Sequence, residues 1–400
     1  MICLGGGSVS NSDQEIYFDG DGFATPGLYL PPSENPTSFL PAGPPPAVEP
    51  LRQSAASWDV ELSIAHYLLR SAFTLSMGAG EEAWKFFKQY SQRALCDAVR
   101  LVHRWYDVRE PEWLLGFSGA LKASPMVNAR AVEGISLSFT LLPKLYAFSY
   151  PHDNRLEISA VTPIHLRSVN LILWNLAIDL QEQLRELEAQ LPDKPWSDMA
   201  FRYAVAQRLA QGKYQSFLPY LFSMYFNDVN YSSLPIPRAL NQDAFTRARQ
   251  SMLAQMHFML SHEVGHLLLH GDREPGPTIE READEFSYAV LSSEENLWKN
   301  RQGEFFTAVN WLFHYLAIDR AMGSFLSGYE TDWVDIPIRD RETFLYPRLN
   351  DLWYPPGDNE LQSLGVLILI GVKVDLQELG AVQLKAAAQE FRKRHCFQPK

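Results

Sequence analysis

Hydrophobic positions recur at steps of three and four over much of the chain. Residues 58–75, "WDVELSIAHYLLRSAFTL", put Trp58, Leu62, Ala65, Leu69 and Phe73 on one face, and the style continues from Glu81 to Val102. This predicts helices across roughly 55–104. The segment "LILWNLAIDLQEQLRELEAQL" (171–191) is amphipathic, and Pro192 and Pro195 stop it. A further helix is expected over 197–212, with Ser197 as its cap and Gly212 after its end. Between these helical stretches the period changes. The runs "ISLSFTLL", "KLYAFSY" and "RLEISAV" (within 135–161) are short, rich in β-branched and aromatic residues, and separated by Pro143 and "PHDN". They predict two or three antiparallel strands.

The second half returns to helical spacing. Asp243 is a credible N-cap, followed by Phe245, Met252, Met256, Met259 and Leu260, and one long helix is expected to run through His270 to Gly271. Helices follow at 280–291 and 304–322, then a mostly irregular stretch at 330–357. Residues 20–50 are proline-rich and predict an extended arm, because proline removes amide donors and fixes φ. The pattern gives a mainly helical α+β chain in three parts. These are an arm (1–50), a helical region with a short β-meander (51–230), and a segment from 231 to 400 built around the long helix.

Composition adds limits. The net charge of −12 disfavours nucleic acid as the main partner, because phosphate binding needs a basic surface. The basic stretch "FRKRHC" (391–396) is expected to be a solvated helix end. Three widely spaced cysteines, Cys3, Cys96 and Cys396, form no CxxC pair, which fits a reducing cytoplasm better than a disulfide framework. The N-terminus lacks the basic and apolar regions of a secretory signal. The longest apolar run, "LGVLILIGVKV" (364–374), is too short to span a bilayer. A soluble cytoplasmic protein is the expectation.

The chemistry concentrates in "HFMLSHEVGHLLLHG" (257–271). His262, Glu263 and His266 form H-E-x-x-H. Residues four apart share a helix face about 6 Å apart at Cβ, so His262 and His266 can close on one Zn²⁺. Glu263 lies on the adjacent flank and can act as general base toward water that the metal acidifies. The third ligand is expected from "EREAD" (280–284), where Glu280 and Asp284 share a face one turn apart. Glu280 is assigned as ligand. Asp284 is assigned as the hydrogen-bond partner of a ligand histidine. Glu282 is expected to point away into solvent. His270 stands roughly 12 Å of helical rise beyond His262, so it is expected to cap carbonyls or pack over the site. The metzincin pattern fails, since Leu269 stands at its glycine position and Asp272 at its last ligand position.

"SHEVGHLLLHG" followed by "EREADEFSYAVL" resembles the gluzincin peptidases, in particular the ImmA/IrrE-type cytoplasmic metallopeptidases and the phage-exclusion metallopeptidases. The likeness covers about residues 257–291. It implies a zincin-like core, a small antiparallel sheet plus the active-site helix, with extra helices. It also implies one zinc on His262, His266 and Glu280, with Glu263 as base. The activity implied is cleavage of peptide bonds in an intracellular protein, in stress response, phage defence or mobile-element regulation. No helix-turn-helix accompanies the motif, and "RETFLYPRL" (341–349) lacks the histidine of the "THP…R" stretch found in more distant relatives. Candidate donors for transition-state charge are Tyr288, His314, Tyr346 and Arg348. Two other readings stay open: a binding protein that keeps the fold without catalysis, and a zinc hydrolase of small amides.

Overall fold

The computed structural model describes residues 14–16 and 28–30, scattered positions from 117 to 134, and, with short gaps, residues 135–292, 302–327 and 359–397. The helices expected within 55–104, the irregular stretch at 330–357 and the side chains of Tyr346 and Arg348 lie outside the described residues. The described chain is mainly helical with a small three-stranded sheet. A separate antiparallel pair joins β1 (Gln14–Ile16) to β2 (Leu28–Leu30).

The three strands form where the alternating runs predicted them, but their pairing differs from a meander. β3 (Ser136–Thr140) and β5 (Arg155–Ser159) are parallel, β4 (Ala147–Tyr150) is antiparallel to β5, and the order is β3-β5-β4. The physical reason is burial. β5 carries Leu156, Ile158 and Ser159 into the core and takes the centre, whereas β4 leaves Phe148 about half exposed and takes an edge. The "PHDN" turn between β4 and β5 works because Asn154 accepts a left-handed conformation (φ 45°) that most residues avoid.

The chain passes from β5 almost directly into α1 (Val161–Gln190). This helix begins ten residues before the expected one. Residues Val161 to Trp174 are all buried, so no polar face marks the first half in the sequence. Each fully buried aliphatic there, such as Leu166, Leu171 and Leu173, contributes about 1.5–3 kcal/mol. α2 (Met199–Leu209) is capped by Asp198, whose carboxylate accepts from Ala200 N–H, rather than by Ser197. α3 (Leu218–Ser223) follows, then the long α4 (Gln242–Gly265), α5 (Pro277–Leu291), α6 (Gln302–Ser327) and α7 (Asn359–His395).

The periodic reading gave no helix at the start of α7, where the apolar run 364–374 buries Leu364, Ile368, Leu369 and Val372 and leaves Ile370 and Val374 exposed. Gly365 there leaves room for the Trp311 indole of α6, which a Cβ would strike. Gly380 breaks α7 with φ 65°. Its basic end is tied by ion pairs, Arg392 to Asp228 at 3.3 Å and Arg394 to Glu390 at 2.7 Å.

α4 is the central element, packed against α1, α5 and α6 and touching β4 and β5. A buried amide network fixes its register. Asn170 of α1 donates to Gln255 of α4 (2.7 Å), Gln255 donates to the Ala308 carbonyl of α6 (3.0 Å), and Tyr315 donates to Asn170 (3.1 Å). Sliding any helix would leave these buried amides without partners, at about 1–3 kcal/mol each. One hydrophobic cluster runs from Phe117 to Cys396 among the described residues. Among the described residues, no helix is long and apolar enough to cross a membrane.

Candidate metal centre

The N-terminus of α4 is set by Asn241, whose side chain accepts from Ala244 N–H at 2.8 Å. Asp243, expected as the cap, sits inside the first turn and pairs with Arg247 at 2.8 Å. Twenty residues later His262 and His266 stand one turn apart. Their Nε2 atoms are 3.0 Å from each other and their ring planes are nearly perpendicular. The helix then widens into a single π turn, His266–His270, in which Gly271 N–H bonds the His266 carbonyl at 3.1 Å, five residues back.

α5 crosses α4 closely because residue 265 has no side chain. A Cβ there would lie 3.2 Å from the Ala283 Cα and 3.2 Å from the Phe286 ring. This approach brings Glu280 onto the histidines. Its Oε2 is 3.2 Å from His262 Nε2 and its Oε1 is 3.6 Å from His266 Nε2. Ligands at about 2.0–2.1 Å around a tetrahedral zinc lie roughly 3.3 Å apart. The three spacings of 3.0, 3.2 and 3.6 Å straddle that value, so one small cation fits among them. The donor chemistry agrees. Asp284, 1% exposed, sets its carboxylate 2.9 Å from His262 Nδ1. A carboxylate accepts, so in the neutral ring the proton sits on Nδ1 and Nε2 turns its lone pair to the site.

Widening residue 265 tests this arrangement. Gly265→Val should cost about 1–3 kcal/mol of stability by overpacking against the α5 backbone. It should also weaken zinc binding, since α5 carries Glu280. Thermal unfolding of the metal-free protein and a chelator-competition titration measure the two effects. Unchanged zinc affinity in the variant would show that the close approach does not position Glu280.

Glu263 lines the same cleft as His262, His266 and Glu280, a cavity of about 570 Å³. Burial holds its carboxyl above the ordinary carboxylate range. Nearby Glu280 adds to this rise, while His262 and hydrogen bonds from the Ser149 hydroxyl and amide oppose it. A raised carboxyl is suited to accept a proton near neutral pH. The opposite walls come from β4, from the turn after it and from α6, and they bring His152 and Arg320 to the cleft. Sequence reasoning missed Ser149, His152 and Arg320. His152 registered only as part of a turn, and Arg320 lies in a helix without any local motif.

Of the donors expected from sequence, the two among the described residues, Tyr288 and His314, lie elsewhere. Tyr288 is 3% exposed and packed among Phe258, Phe305 and Phe306, outside the cleft walls. His314 also does not line the cleft. Burial, with Lys373 of α7 nearby, pushes its imidazole down to about 4. One further expectation is corrected. Glu282 does not simply face solvent: its Oε2 lies 3.0 Å from His270 Nε2. His270, expected to cap carbonyls or pack over the site, lines the cleft, and its Nδ1 lies 3.0 Å from His266 Nδ1. The two rings lie four residues apart, the spacing that also brings His262 and His266 together, with centroids 5.1 Å apart. Comparison with protein-family models, with curated proteins and with solved structures finds no match to this chain.

Proposed function

We propose that this chain is a zinc-dependent endopeptidase of the gluzincin type that acts on an extended segment of a protein substrate. The observation that carries the reading is the meeting of His262 Nε2, His266 Nε2 and the Glu280 carboxylate at the spacings a tetrahedral ion requires, with Glu263 in the same cleft. The small sheet beside the long helix α4 plays the part of a zincin-like core. When bound, zinc supplies Lewis acidity that brings the pKa of water down to about 7.

The chain's own residues do the rest. Glu263, with its carboxyl raised by burial, takes the proton from water and returns it to the departing amine. Ser149 holds that carboxylate in place through its hydroxyl and amide. His152 and Arg320 are the donors along the cleft that can meet charge developing on the substrate carbonyl.

An extended substrate is favoured over a small amide by the edge position of β4. The Ser149 amide faces Glu263 rather than β5, so by the two-residue period of a strand the Ala147 backbone faces the same side. Backbone groups so placed pair with an extended peptide. The test is metal content and hydrolysis together. The purified protein should carry about one zinc per chain and cleave a labelled unfolded polypeptide. Chelation should abolish cleavage and added zinc should restore it. A wild type that takes up no zinc would overturn the proposal.

A further inference from the structure

We infer that His270 and Glu282 form a positioning relay that fixes the ring tautomer of His266 and so prepares it to hold the metal. This rests on the metal-site reading above and adds two residues that the H-E-x-x-H motif does not contain.

The argument is one of donors and acceptors. Glu282 Oε2 lies 3.0 Å from His270 Nε2, and a carboxylate can only accept, so that nitrogen carries the proton. A neutral imidazole with its proton on Nε2 presents a lone pair on Nδ1. That lone pair lies 3.0 Å from His266 Nδ1, which must therefore donate. His266 with its proton on Nδ1 turns the Nε2 lone pair toward His262 and Glu280. Reversing the His270 tautomer would place the His266 proton on Nε2, where a cation belongs. The two ligand histidines are thus oriented by different means. His262 has a buried carboxylate in direct contact, whereas His266 has an imidazole between it and a carboxylate.

The fold supports a specific role for His270. Its side chain is 2% exposed, and it sits at the end of the single π turn, with its ring centre 5.1 Å from that of His266. Glu282 reaches it from α5, the helix that also supplies Glu280 and Asp284. α5 thereby supplies all three carboxylates around the histidines.

The test separates hydrogen bonding from packing. His270→Phe keeps the ring volume and removes the acceptor. His270→Asn loses volume, but its Oδ1 stands where Nδ1 stood and can accept from His266. Zinc affinity is read by chelator competition, beside thermal unfolding of each metal-free protein. His270→Phe should weaken zinc by about 10–100-fold, as loss of an outer partner of a ligand does, and His270→Asn should recover most of that loss. Glu282→Ala, at a half-exposed side chain, should weaken zinc in the same direction. Glu285→Ala, an equal charge change at an exposed position of the same helix, should not. The relay is overturned if His270→Phe binds zinc like the wild type. It is equally overturned if His270→Asn binds as weakly as His270→Phe, or if Glu282→Ala and Glu285→Ala behave alike. A wild type without zinc would instead remove the metal reading itself.

Discussion

Glu263→Gln should keep zinc and fold while peptide hydrolysis falls by about 10²–10⁴-fold, the usual contribution of a general base. The amide is nearly the size of the carboxyl and can still accept from the Ser149 hydroxyl and amide. It cannot take a proton from water near neutral pH. The carboxylate it replaces lines the cleft without belonging to the triad of converging ligand atoms, so metal content should be unchanged. The variant should therefore hold substrate without cutting it, which makes it a bait for the natural target. The measurement is zinc content beside the single-turnover rate on an unfolded polypeptide. Wild-type rates in Glu263→Gln would remove the proposed chemistry even with zinc bound. Loss of zinc would make Glu263 a ligand and require a new role for Glu280.

His262→Ala, His266→Ala and Glu280→Ala should each abolish tight zinc binding. Each removes one of three atoms whose mutual distances are 3.0, 3.2 and 3.6 Å, and two ligands do not hold zinc against buffer and water. Asp284→Asn should act differently. It keeps an acceptor opposite His262 Nδ1 but loses the charge, so zinc should weaken by about 10–100-fold without being lost. Equilibrium dialysis against a zinc chelator gives the order directly. Retention of zinc by Glu280→Ala would show that another carboxylate closes the site. An Asp284→Asn protein indistinguishable from wild type would show that the buried carboxylate does not orient His262.

Where the sequence was misleading, burial was the cause. The first half of α1 is enclosed on nearly every side, and the run in α7 stays apolar even at its exposed positions Ile370 and Val374, so the polar face that marks a surface helix is missing. The caps shifted by one or two residues, from Ser197 to Asp198 and from Asp243 to Asn241, because neighbouring polar residues have similar capping power. The strands were legible, but their order was not. Alternation reports which residues face inward, and only the competition for the buried centre placed β5 between β3 and β4.

The sequence by itself determined what depends on helix geometry alone. His262 and His266 share a face because they lie four apart, and Glu280 and Asp284 do so for the same reason. The tertiary structure decided which faces meet. Gly265 against Ala283 lets α5 come close enough for Glu280 to reach both histidines, and no spacing rule contains that distance. The contact of His270 with Glu282 joins two helices, so spacing within one helix left His270 without that partner and sent Glu282 to solvent. Ser149, His152 and Arg320 come to the cleft from a strand, a turn and a helix far from the motif in sequence. Positions within one helix follow from bond angles and hydrogen bonds a few residues long. Positions between elements follow from the packing of one shared core, whose contacts lie far apart along the chain.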